Sequence, residues 1–219
     1  MTRSGRRPSL GAVAQSDRSR EPRPTPERTL VLGSSSPRRR ELLARAGVRF
    51  EVAAAGIEER ARPGEAPEAL AERLACEKAL AVAQRLGSAP SRLVLGADTI
   101  VVLEGDVLGK PVDASDAEHL LGRLVGRAHR VLTGVAVVAS DRLVPASRVV
   151  ESRVVMRSAS SEEIRRYVES GEPLDKAGAY AAQGEGRRFI ARIEGSESNV
   201  IGLPLDETLA LLRDAGLRI

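Results

Sequence analysis

Three groups of side chains in this sequence could do chemistry together. They are the carboxylates Glu58, Glu59, Asp98 and Asp175, the hydroxyls Ser34, Ser35, Ser36 and Thr99, and the cations Arg38, Arg39, Lys78, Lys110 and Lys176. The densest stretch is Leu30 to Leu43, LVLGSSSPRRRELL, where an apolar run stops at Gly33, crosses three serines and Pro37, and enters an amphipathic helix. Ser36 suits the N-cap and Pro37 the first helical position, where a missing N–H costs nothing. Arg38, Arg39 and Arg40 then load the positive end of the helix dipole, at a cost of about 0.3–1 kcal/mol per cation. A polyanion resting on the free N–H groups, hydroxyls and guanidinium forks would reverse that sign. The alternative is a solvated turn in an arginine-rich chain.

Other mechanisms lack parts. No GxxxxGK[ST] is present, and no GxGxxG follows a strand. His119 and His129, the two histidines, read as surface or helix-end residues rather than a catalytic base, and Cys76 as a small core residue of a helix with no base beside it. The remaining inventory suits hydrolysis of a phosphoanhydride. Carboxylates can hold Mg²⁺ with water and substrate phosphate, one carboxylate can take the proton of an attacking water, and cations can neutralise the phosphates. Of 34 basic residues only Lys78, Lys110 and Lys176 are lysines, and each falls in a stretch of this kind. A compact ammonium is therefore the suspected requirement at those positions.

The elements that must position these groups follow from periodicity and turn chemistry. We expect a strand over residues 30–33, a helix over 38–46 with Leu42, Leu43 and Ala46 as its apolar face, a strand over 48–54 and a helix over 67–86. A third apolar strand, 93–97, runs into Asp98, which must end the strand facing a crevice or be buried. Glu104-Gly105-Asp106 marks a turn, residues 113–124 a helix, and 130–138 with 144–155 an antiparallel pair. A helix over 160–170 follows, then about 20 irregular residues of the kind that serve a site, then a closing helix over 205–215. This order favours an α/β fold with a mixed central sheet.

Residues 1–28 hold seven arginines against Asp17, Glu21 and Glu27, a surplus equal to the whole net charge of +4, so the remainder is neutral. That Pro/Ser/Arg-rich segment reads as a disordered leader or a misplaced start site, with the folded domain at 29–219. The strongly basic balance is thus poor support for nucleic acid as a partner. No run of about 20 apolar residues and no secretory h-region is seen, and a lone cysteine rules out an internal disulfide, which leaves the cytoplasm as the expected compartment.

The segments SSSPRRRELL, GIEE, CEKA, GADTIVVLEGDVLGKP, TGVAV, SGEPLDKAGAYAAQG and GSESNVIGLPL, in this order and spacing, resemble the Maf family of nucleoside triphosphate pyrophosphatases. The resemblance runs from about Leu30 to the C-terminus. It implies a Maf/ITPase-like α/β fold with a nucleotide cleft, and hydrolysis of a nucleoside triphosphate to the monophosphate and pyrophosphate with a divalent metal, Mg²⁺ or Mn²⁺. It implies Asp98 as proton acceptor and, with Glu59, as metal ligand, and Ser36, Arg39, Lys78 and Lys110 at the phosphates. Arg38, Thr99 and Gln183 match the branch acting on dTTP and UTP, whereas the 7-methyl-GTP branch carries Trp, Gln and Glu there. A glutamine amide offers the donor and acceptor that match a uracil or thymine edge. Glu197 stands where the family often has an aromatic residue. The expected partner is the nucleoside triphosphate, with a second copy of the chain as an open alternative. Activity on 7-methyl-GTP or on a broad range of nucleotides, or a nucleotide-binding role in cell division, remain the competing functions.

Overall fold

The computed structural model describes residues 1, 28–88 and 91–219, so the expected leader falls almost wholly outside the described residues. Strand β1 (Thr29–Leu32) buries Leu30, Val31 and Leu32 in succession, the pattern of a strand covered on both faces. Ser36 caps helix α1 (Pro37–Arg45) by accepting from the Arg39 backbone N–H, and Leu42 and Leu43 are its buried face. After β2 (Phe50–Val52) comes α2 (Pro67–Leu86), followed by β3 (Arg92–Leu103) and β4 (Asp106–Leu108). The β3–β4 hairpin turns on Glu104 and Gly105, both at positive φ, as a tight two-residue connection demands. Next in the chain are α3 (Ala114–Leu124), β5 (Ala128–Ala139), β6 (Pro145–Met156) and α4 (Ser161–Glu169). Residues 172–189 form three short 3₁₀ turns, and β7 (Ile190–Glu194), α5 (Glu197–Ile201) and α6 (Leu205–Asp214) complete the chain.

The sheet runs β2-β1-β3-β5-β6-β7, with β4 also pairing β3. β1 is parallel to β2 and β3, and the remaining pairs are antiparallel, which is the expected mixed α/β sheet. Helix α2 covers one face through Ala71, Ala75, Ala79 and Ala83. Its backbone lies directly on glycine: a Cβ at Gly96 would sit 2.2 Å from the Ala75 carbonyl oxygen, and one at Gly134 2.1 Å from that of Ala71. On the other face, α1 and α6 pack over Leu30, Leu93, Leu95, Val135 and Val137. Helices α3 and α4 cover Val101, Leu103, Val131 and Val154 at the far end of the same face.

Three expectations need correction, and two elements were not foreseen. The strand expected over 93–97 is longer: β3 is one strand of 12 residues, paired with β5 from Leu93 to Val102, and Asp98 lies in its middle, where it takes the second of its two expected places, buried at 5% exposure. His129 is no surface residue but a buried member of β5, 3% exposed. Cys76 is only half-buried on the flank of α2, and Ala75 takes the core position. β7 and α5 lay hidden in stretches whose charged residues mask any periodicity. Their partners are distant in sequence, β7 pairing with β6 through Val154 and Ile193.

Candidate active site

Pairing along β3 leaves a gap. On the β1 side it ends where Leu32 meets Leu95 and resumes in β4 where Leu108 meets Val101, so residues 96–100 have a strand partner only in β5. Asp98, Thr99 and Val101 from this part of β3 line a cavity of about 540 Å³. Strand alternation sends Asp98 to the α2 face and Thr99 to the opposite one, so consecutive residues reach one cavity from both faces of the sheet. The serine turn after β1 supplies Ser34, Ser35 and Ser36, and the first turn of α1 supplies Arg38 and Arg39. Glu59 comes from the β2–α2 loop, Lys78 from α2, Lys110 from the loop after β4, and Asp175, Lys176 and Gln183 from the 3₁₀ region. Each residue that the family resemblance implies at the site is therefore brought to a single cavity. Glu58 is not among the lining groups and pairs with Arg60 at 2.8 Å. Arg40 points away and is exposed.

The centre is an ion cluster. Lys78 Nζ lies 2.6 Å from Asp98 Oδ1 and 2.6 Å from Glu59 Oε1, and Lys110 Nζ lies 3.8 Å from Glu59 Oε2. The close approach of α2 to Gly96 and Gly134 places Lys78 there, because Gly134 is the register partner of Asp98. Burial raises the Asp98 pKa above the usual aspartate range, and the charge and hydrogen bond of Lys78 only partly oppose it. Burial pushes Glu59 the same way, but there the Lys78 hydrogen bond and the charges of Lys78, Lys110 and Arg39 prevail, and its pKa is lowered. Two carboxylates in one ion cluster thus titrate in opposite directions.

Arg39 is held by the protein itself. Its Nε donates to the Gly202 carbonyl at 2.8 Å, Nη1 to Ser34 Oγ at 3.1 Å and Nη2 to Thr99 Oγ1 at 3.1 Å. The cationic load on the helix start is thereby answered partly from within, with two of the five guanidinium donors left over. Counted over its lining, the cavity has five cations, Arg38, Arg39, Lys78, Lys110 and Lys176, against Glu59, Asp98 and Asp175. That surplus suits a polyanion.

The lining also has an apolar part, Val101, Val131, Val200, Ile201 and Tyr180. These residues were missed by reasoning from sequence, although Tyr180 is one of only four aromatic residues in the chain. Its hydroxyl lies 2.7 Å from His129 Nε2, and burial lowers the His129 pKa to about 4, so that ring stays neutral. Lys176, an outlying lysine by composition, donates to the Glu172 carbonyl and to Asp175 Oδ1, both at 2.5 Å.

Among the described residues no group of three His, Cys, Asp or Glu side chains could hold a metal ion. An all-protein cage is therefore absent from them. Glu59 and Asp98 are hard oxygen donors on one ammonium, and this pair fits a divalent cation of the Mg²⁺ kind, which takes one or two carboxylates and completes its shell with phosphate oxygens and water. No helix among the described residues is long and apolar enough to cross a membrane.

Fold and site together define an α/β protein with a polyanion-suited cavity at a gap in its sheet. The chain belongs to the Maf-like protein family, whose sequence profile matches residues 29–215. It is 52% identical over 192 residues to a dTTP/UTP pyrophosphatase of Hahella chejuensis, covering 88% of this chain and 94% of that protein. It is 55% identical over 188 residues to a dTTP/UTP pyrophosphatase of Myxococcus xanthus, covering 86% and 93%.

Proposed function

We propose that this protein hydrolyses dTTP and UTP, and modified pyrimidine nucleoside triphosphates, to the monophosphate and pyrophosphate. The observation that carries the reading is the convergence of Asp98, Glu59, Lys78, Lys110, Arg38, Arg39 and Gln183 on one cavity, in a chain whose relatives are named for this activity. Asp98 accepts the proton of the attacking water, and its raised pKa makes it a stronger base than an exposed aspartate. The anhydride between the α- and β-phosphates breaks, and the electron pair leaves with pyrophosphate. Lys78, Lys110 and the free donors of Arg39 neutralise the phosphate oxygens, together with Ser36 at the helix start. Glu59 and Asp98 would hold Mg²⁺ or Mn²⁺, which supplies charge neutralisation at the phosphates when bound. Gln183, which lines the same cavity, offers an amide donor and acceptor to the pyrimidine edge, and Arg38 and Thr99 contribute to base choice with it.

Pyrophosphate release across a nucleotide panel with Mg²⁺ or Mn²⁺ tests the reading. Turnover of dTTP and UTP is expected. No turnover, or turnover of 7-methyl-GTP alone, would overturn it. In the same assay Gln183→Glu should lower kcat/KM for dTTP by about tenfold or more, the cost of a mismatched polar contact, without changing the melting temperature.

A further inference from the structure

We propose that Thr133 is a positioning residue for the cavity, acting through the hydroxyl of Thr99 on the guanidinium of Arg39. Thr133 is fully buried in the middle of β5, directly opposite Thr99 in the β3–β5 register. A valine has the same outline and an equal liking for a strand, whereas a buried hydroxyl is costly unless bonded. This one is bonded on both sides. Its Oγ1 donates to the Asn199 carbonyl at 3.1 Å and lies 3.0 Å from Thr99 Oγ1, which accepts from Arg39 Nη2 at 3.1 Å.

The two ends fix the direction of this chain of bonds. A guanidinium can only donate and a carbonyl can only accept, so each hydroxyl between them accepts from the Arg39 side and donates toward Asn199. The other acceptor near Thr99, the Gly202 carbonyl, is farther at 3.4 Å and already takes the Arg39 Nε–H. A one-directional chain of this kind is mutually polarised and stabilises the charge at its head. The far end is anchored too. Asn199, at 0% exposure, ties α5 to the sheet by donating from Nδ2 to the Val131 carbonyl at 3.1 Å and to Ser152 Oγ at 2.9 Å. The hydroxyl of Thr99 is consequently committed inside the protein. The influence of that hydroxyl on the phosphates passes through the aim of the two Arg39 donors left free.

This inference rests on the reading of the cavity as a triphosphate site, and the test has one arm that does not. With dTTP as substrate, Thr133→Val should raise KM about fivefold or more with kcat within about twofold of wild type, because the loosened donors serve ground and transition states alike. Thr133→Ser, which keeps the hydroxyl, should restore wild-type KM. In an Arg39→Lys background, Thr133→Val should change KM by less than about twofold, the signature of coupling through Arg39. Equal KM effects of Thr133→Val in both backgrounds, or none in either, overturn the proposal. The second arm is nitrogen-resolved NMR of the free protein, following solvent exchange of the Arg39 Nη2–H that Thr99 holds. Exchange should be slow in wild type and Thr133→Ser and fast in Thr133→Val. If the wild type hydrolyses no nucleotide, the functional reading fails, and this arm still decides: unchanged exchange in Thr133→Val refutes the positioning role.

Discussion

Asp98 and Glu59 share one ammonium yet are pushed apart in acidity, because Asp98 lies in the middle of a covered strand and Glu59 in a half-open loop. For the proposed base, the sign of the pH effect follows. In the role we propose Asp98 acts unprotonated, so kcat/KM should rise with pH through its pKa, and the acid limb should sit above the ordinary aspartate value of about 3.9. Lys78 holds that pKa down against burial. Lys78→Met should therefore move the limb to higher pH as well as lower the plateau, read from a pH profile of kcat/KM. Asp98→Asn should cut kcat by about 10²-fold or more while dTTP binding, followed by calorimetry, persists. The stability linkage runs the other way from catalysis. A carboxyl whose pKa is higher folded than unfolded binds more protons in the folded state, so its contribution to stability is lost as pH rises from the unfolded value through the folded one. Above that window the Asp98→Asn substitution removes an unfavourable buried charge, and the melting temperature should not fall. The types of these residues were readable from the chain. That Arg39 and Thr99 spend their hydrogen bonds on each other was not, since residues 39, 99, 133 and 199 meet only in three dimensions.

At the scale of elements, the position of α2 governs the ion cluster. Its alanine stripe, Ala71, Ala75 and Ala79, lies on Gly96 and Gly134, with no room for a methyl group at either glycine. Gly134→Ala should lift α2 from β5 and cost about 1–3 kcal/mol of stability, as overpacking usually does, measurable by urea denaturation. It should also weaken turnover, because Lys78 rides on the same helix. The boundaries of α2 at Pro67 and Leu86 were legible, as was the Ser36 cap, because proline, serine and glycine act locally. β7 escaped notice because a strand of Ile-Ala-Arg-Ile-Glu becomes one only when β6 offers it a ladder.

For the whole molecule, the family profile matches residues 29–215, and the cavity lining runs from Gly33 to Gly202 within that span. Removing residues 2–27 should leave kcat/KM for dTTP within about twofold of the full chain, a margin of under half a kcal/mol, and a larger loss in a steady-state comparison would give that segment a part in the site. The sequence by itself determined the local facts: the capped helix after the serine turn, the long α2, the tight Glu104-Gly105 hairpin, and the mixed order of strands and helices. Each depends on backbone preferences and periodicity within a few neighbours. Only the tertiary structure decided that Asp98 sits mid-strand, that β3 lacks a second partner beside it, and that His129 is buried against Tyr180. Those outcomes arise from pairing and packing between residues tens of positions apart, and local sequence holds no record of which distant partner fills, or leaves open, the far side of a strand.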